Sequence, residues 1–174
     1  MMDNKTFFIL VILCLTTHII RSSYEILKHK KILEPNNLTF IIIFFNMAVL
    51  WISWFVLCSY DMYKINLPVI INYFGLLLCL IGVIIFFTAL FTIKTLEDYA
   101  GDLITKGIYS KIRHPMYLGF ILLSLGFPIY CGATFSFFLS FPFIANILYW
   151  RYLEEIELEK RFVDYKDYKT KTLF

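Results

Sequence analysis

The sequence is poor in charge: Asp, Glu, Lys and Arg make up only 17% of its 174 residues, whereas 60% are hydrophobic and 20% aromatic. An ordinary soluble domain has about 25% charged residues and about 45–50% apolar ones. This shortage of charge excludes a typical soluble domain. It favours an all-α bundle of helices that cross a membrane several times.

Patterns typical of metal, disulfide and nucleic-acid sites are missing as well. The four cysteines lie in or beside apolar stretches without CxxC spacing, which is typical of packing residues. A haem pair would require two of the three histidines to face each other across the bundle, which we do not expect. The net charge of +3 comes without a compact basic run. We therefore predict no metal and no nucleic-acid partner.

Long uncharged runs are what the sequence has instead. A membrane-spanning helix needs about 20 apolar residues, and residues 38–58 and 67–93 meet that length without a charge. Residues 6–20 are a shorter run, but no small-residue cleavage site follows it, so a retained helix is favoured over a signal peptide. Residues 117–150 are too long for one crossing, and glycines and prolines at 126–134 predict a tight turn. The prediction is about five transmembrane helices.

The positive charges alternate as five crossings require. With the N-terminus outside, the inside segments hold 14 of the 16 Lys and Arg residues, and only Lys5 and Lys64 lie outside. This distribution follows the positive-inside rule. We predict a multi-pass membrane protein with a cytoplasmic C-terminus. Residues 1–93 would form three helices, and residues 94–174 would form a catalytic half of the same membrane domain.

Residues 94–116 form a polar connection that is long for a linker, and it ends in Arg113, His114 and Pro115. Proline pushes the preceding residue out of the helical region and suits the first position of a helix. The unpaired N–H groups of that helix start, beside Arg113 and His114, predict a site for a carboxylate or phosphate.

Two further residues favour the same site. Tyr117 adds a ring and a hydroxyl near the helix start, and Gly119 lets a ligand or another helix come close.

A second polar cluster follows the last apolar run, at residues 149–169. On a helix, Arg151 and Glu155 share one face, whereas Glu154 begins another stripe with Leu158 and Phe162. The prediction is an amphipathic helix that continues out of the membrane on the cytoplasmic side. Charge so close to hydrocarbon is often functional, so we predict that both clusters form one pocket.

Two motifs resemble those of a known superfamily. The stretches "GIYSKIRHPMYLG" (107–119) and "RYLEEIELEKRF" (151–162) are similar to the Arg-His-Pro-x-Tyr-x-Gly and Glu-Glu-x-x-Leu-x-x-x-Phe motifs of the isoprenylcysteine carboxyl methyltransferase and phospholipid methyltransferase superfamily. The resemblance covers roughly residues 94–169. Ile108 stands where many members have proline, and the spacing from Phe162 to the tail tyrosines is one residue shorter than is common.

The resemblance implies an enzyme that uses S-adenosylmethionine to methylate a lipid or lipid-modified acceptor at the cytoplasmic membrane surface. The implied cofactor-binding residues are Arg113, His114, Pro115, Tyr117, Gly119, Glu154 and Glu155. As catalytic residues we predict Arg151, a cation that would orient an acceptor carboxylate, and Glu155. A carboxylate needs no base, whereas an amine does, which favours carboxyl methylation.

Three alternatives stay open on the sequence. The first is N-methylation of a phospholipid headgroup such as ethanolamine. The second is a NADPH-dependent sterol-type reductase with a similar Arg-His-Pro motif, although the paired cysteines and tryptophan typical of its tail are absent after Phe162. The third is a non-catalytic membrane protein with the same fold.

Overall fold

A computed structural model describes residues 4–93 and 102–174. Within these ranges the chain folds into six α-helices, with one 3₁₀ turn at Gly107–Ser110 and isolated bridges but no strand. The helices are α1 (Asn4–His29), α2 (Asn37–Ser59), α3 (Val69–Ile93), α4 (Pro115–Cys131), α5 (Thr134–Arg161) and α6 (Tyr165–Lys171). The all-α prediction is confirmed.

The first three helices are long and apolar enough to cross a membrane, with 26, 23 and 25 residues. Many of their large apolar side chains point outward, as Ile70 at 78% and Phe91 at 73% exposure illustrate. Such exposure is expected of a surface that faces lipid. Helix α4 is apolar but has only 17 residues. Helix α5 begins apolar and becomes charged from Arg151 onward.

The turn between α4 and α5 is shorter than the sequence suggested. The helix continues through Gly126 and Pro128 to Cys131, and only Gly132, with a left-handed φ of 63°, breaks it. Pro128 lies in the last turn of the helix. The conformation of Gly132 is one that glycine adopts without strain. The two helices therefore form a tight hairpin.

A buried carboxylate that sequence reasoning did not single out caps the start of α5. Asp61 is 6% exposed and accepts hydrogen bonds from the backbone N–H and the hydroxyl of Ser136, both at 2.7 Å. It also accepts from the backbone N–H of Tyr63 at 2.8 Å. A carboxylate satisfies the unpaired donors of a helix start and is favoured by the helix dipole. Asp61 therefore joins the α2–α3 loop to the hairpin.

Helices α3 and α4 pack most closely, along two glycine pairs that we call the glycine seam: Gly75 with Gly126, and Gly82 with Gly119. A methyl group on Gly75 would lie 2.7 Å from the Gly126 carbonyl oxygen, and one on Gly119 would lie 2.8 Å from that of Gly82. Small residues let the two backbones approach. The space left by the missing side chain of Gly119 is thus occupied by the neighbouring helix α3.

The other helices pair differently. Helix α1 packs on α2 and α5, whereas the described residues of α2 and α3 do not form a packed pair. The buried core of Phe7, Trp54, Leu57 and Phe143 fills the space between α1, α2 and α5. A cavity consequently opens between α2 and the glycine seam.

Candidate active site

The cavity has a volume of about 620 Å³ and brings both predicted polar clusters to one place. Its charged end includes Arg113, His114 and Glu154, and its apolar end includes Trp51 and Phe120. It lies within the range of about 300–1,000 Å³ that is usual for ligand pockets. One end therefore suits a polar ligand and the other a hydrocarbon chain.

His114 lies at the centre of the charged end. It caps the start of α4 outside the helical region (φ −121°, ψ 61°), and Pro115 takes the first helical position. Its Nδ1 is 3.6 Å from Oε2 of Glu154, and its Nε2 is 3.3 Å from Oε1 of Glu155. Burial lowers the pKa of His114, but the two carboxylates outweigh that effect and the net pKa is raised. The two carboxylates of α5 therefore favour the protonated form of the ring.

The two neighbouring glutamates have different surroundings. The Glu154 side chain is 45% exposed and faces the cavity, where the Tyr117 hydroxyl is hydrogen-bonded to it. The Glu155 side chain is only 10% exposed and points toward the tail, where Lys169 donates to its Oε2 at 2.8 Å. The hydrogen bond from His114, followed by that from Lys169, lowers the pKa of Glu155 well below its usual range. Glu154 is thus available to a ligand, and Glu155 is engaged by protein groups.

Arg113 lines the cavity edge, but most of its donors hold the C-terminal segment. Its Nη1 donates to the carbonyl oxygens of Lys169 and Thr172 at 2.9 and 2.6 Å, and its Nε lies 3.3 Å from Glu155. The backbone of Arg113 also donates to Leu173 at 3.0 Å. This arginine joins the start of α4 to α6 and the residues after it.

Two predicted residues lie away from the cavity. Arg151 shares the face of Glu155, as expected, but its guanidinium stacks 4.6 Å from the ring of Phe174 and does not line the cavity. Gly119 contacts α3 in the glycine seam. The structure therefore brings Arg113, His114, Pro115, Tyr117 and Glu154 to the cavity, with Glu155 directly behind His114.

Three buried tyrosines complete one wall. The Tyr165 hydroxyl is 3.4 Å from His114 Nε2, and the Tyr168 hydroxyl donates to the Tyr109 carbonyl oxygen at 2.5 Å. All three rings line the cavity. Sequence reasoning treated Tyr165 and Tyr168 only as a spacing. Their separation of three residues places both side chains on the same face of a short helix, and this could have predicted that they contact the site together.

Helix α1 contributes a wall that sequence reasoning missed. Arg21, Glu25, Lys28 and His29 all line the cavity. In the sequence, the positive charges of these α1 residues were informative only about topology. They follow one another at intervals of four, three and one residues, which places them on one face of a helix. This spacing could have predicted that α1 presents a polar surface to the site.

The comparisons with known proteins give one family. A family model described as phospholipid methyltransferase matches residues 70–164, which is more than half of the chain. The match indicates a membrane methyltransferase, and S-adenosylmethionine is the general cofactor of such enzymes. Neither a curated protein nor a solved structure matches significantly.

Proposed function

The chain belongs to the phospholipid methyltransferase family, and on that premise we propose that it transfers a methyl group from S-adenosylmethionine to a lipid-linked acceptor at the cytoplasmic membrane surface. The observation that carries the proposal is the single cavity with a charged end at His114 and Glu154 and an apolar end between the helices. A reaction between a polar cofactor and a lipid requires a cavity that has both a charged and an apolar end.

The residues at the charged end fit the cofactor. Its carboxylate suits the start of α4, where Met116 and Tyr117 line the cavity and the first backbone N–H groups of a helix have no acceptor within it. Its ammonium and sulfonium groups suit the carboxylate of Glu154 and the nearby aromatic faces. The buried ring of Tyr109 offers a surface for the adenine base.

The apolar end fits a lipid chain. Residues of α2 line the cavity from Phe40 to Phe55, and at 1.5 Å per residue this wall is roughly 22 Å long. The opposite wall includes Phe86 and Phe120. Because α2 and α3 do not form a packed pair among the residues described, we propose that this wall opens toward the surrounding membrane. A lipid tail would enter laterally and bring its headgroup to the charged end.

The cofactor supplies an activated methyl group, and the protein positions the acceptor and excludes water. The surroundings of Glu154 make it a poor proton acceptor, which favours an acceptor group that does not have to lose a proton. Burial raises the pKa of Glu154, but His114, the Tyr117 hydroxyl and the charge of Lys28 together outweigh it, and the net pKa is lowered. A carboxylate with a lowered pKa is a weak base for an amine. We therefore favour a carboxylate acceptor, as in isoprenylcysteine carboxyl methylation, with phospholipid N-methylation as the alternative.

Two measurements test the proposal. Calorimetry on the purified protein in detergent should show binding of S-adenosylmethionine and none of NADPH. Membranes incubated with the methyl-labelled cofactor should then carry the label in a base-labile methyl ester. Label in a base-stable phospholipid would select the N-methylation alternative. Binding of NADPH without S-adenosylmethionine would select the reductase, and binding of neither would contradict an enzymatic role.

A further inference from the structure

Arg21 is placed between the two ends of the cavity. It lies on α1, outside the residues that match the family, and its guanidinium is 5.6 Å from the ring of Trp150 and 5.4 Å from that of Tyr24. Trp150 precedes Glu154 by one turn of α5, which corresponds to about 6 Å along the helix. Arg21 therefore lies beside Trp150, one turn of α5 away from Glu154, in the same cavity lining.

The guanidinium of Arg21 lines the cavity and is incompletely paired. Its Nη2 pairs with Glu25 in the next turn of α1, but its Nε is buried and has no hydrogen-bond partner. A guanidinium carries five N–H donors in a planar fork that matches the two oxygens of a carboxylate or phosphate. The cation–π contacts with two aromatic rings restrict where that fork can lie.

We infer that Arg21 binds an anionic oxygen group of the acceptor, a carboxylate or a phosphate, and orients it toward the charged end of the cavity. The inference rests on the proposed function, because it assigns the acceptor's position in the same cavity. It gives Arg21 the orienting role that the sequence suggested for Arg151, which stacks on Phe174 instead. Glu25 competes with the ligand for the same guanidinium.

The test measures acceptor binding without any cofactor. In detergent micelles, calorimetry compares N-acetyl-S-farnesylcysteine with its carboxamide, and phosphatidic acid with diacylglycerol. The wild type should bind one of the two anions at least tenfold more tightly than its neutral counterpart. The pair that shows this preference identifies the group as carboxylate or phosphate.

Three variants decide the assignment. Arg21→Gln should abolish the preference for the anion, and Glu25→Gln should increase it by removing the competing carboxylate. Lys30→Gln, at an exposed position just after α1, should leave it unchanged. If Arg21→Gln does not fold, Arg21→Lys should still weaken the preference because the planar fork is lost.

Two results overturn the inference: a wild type that prefers neither anion, or an Arg21 variant that keeps the full preference. Because these measurements contain no cofactor, they are separate from the test of the proposed function. A protein that discriminates the anions but does not bind S-adenosylmethionine would contradict the proposed function alone.

Discussion

The glycine seam and the cavity are neighbours, both formed by α3 and α4, and they show opposite packing. Along the seam, glycines bring the backbones of α3 and α4 so close that a methyl group on Gly75 would lie 2.5 Å from the Tyr130 nitrogen. Across the cavity, large aromatic side chains leave about 620 Å³ between the helices. The close packing at the seam holds α4 against α3 and so positions His114, which caps the start of α4.

The largest effect should come from filling the seam. Gly126→Val puts side-chain atoms against the backbone of α3, where a Cβ would lie 2.7 Å from the Gly75 oxygen. Overpacking usually lowers stability by about 1–3 kcal/mol. Because the atoms in contact here belong to the backbone and cannot move aside, we expect a loss of stability at the upper end of this range, or no folded protein. Thermal melting in detergent measures this, with the 52% exposed Leu80 changed to Val as control. An unchanged melting temperature for Gly126→Val would show that the seam tolerates separation.

The next effect concerns the cap at the opposite end of the bundle from His114. Asp61→Asn keeps the shape but replaces one acceptor oxygen by a donor, which leaves a hydrogen bond to Ser136 or Tyr63 unmade. We expect a loss of about 1–3 kcal/mol in stability, because a buried polar group is left unpaired. Binding of S-adenosylmethionine to the folded fraction should be unaltered. A large loss of affinity in that fraction would show that the two ends are coupled.

The cluster of His114, Glu155 and Lys169 should make stability depend on pH. The raised pKa of His114 gives a contribution that is complete below its ordinary value of 6.5 and is lost as pH rises through the folded value. The lowered pKa of Glu155 gives a contribution that is present above its ordinary value of 4.5 and is lost as pH falls through the folded value. Within this cluster, stability should be greatest between these two ordinary values.

Melting temperatures across pH measure this profile for the wild type and for Glu155→Gln. The variant should be less stable by about 1–3 kcal/mol near pH 6, because Lys169 and His114 lose a charged partner. Its profile should also be flatter on both sides. Identical profiles for the two proteins would mean that Glu155 does not hold the cluster together.

The smallest effect should come from Arg151. Its contact with Phe174 is a cation–π interaction worth about 0.5–2 kcal/mol at this half-buried position. From its placement we expect Arg151→Gln to change methylation of the acceptor by less than threefold, measured with the labelled cofactor. A loss of tenfold or more would support the catalytic role that the sequence suggested.

Part of this account was predictable from the sequence. The uncharged runs predicted the long helices α2 and α3, and Pro115 predicted the start of α4. Both predictions depend only on local sequence. The glycines at 75 and 82 lie seven residues apart in an apolar run, a pattern typical of helix packing, and they serve it.

Other features depend on tertiary geometry. Glu154 and Glu155 are adjacent in sequence, and the packing of α5 against α1, α4 and α6 decides which of them faces the cavity. Likewise, Arg21 reaches the site because α1 packs against α5. No local pattern contains that contact.

The central claim is that the cavity-facing carboxylate of Glu154 holds the cofactor. The most direct test is the affinity of S-adenosylmethionine for Glu154→Gln, compared with the wild type and with Glu159→Gln, which removes the same charge from the same helix outside the cavity lining. Losing a charged hydrogen-bond partner costs about 1.5–3 kcal/mol, so Glu154→Gln should weaken binding by about 10- to 100-fold. Glu159→Gln should change it by less than twofold. Equal affinities for Glu154→Gln and the wild type would contradict the account.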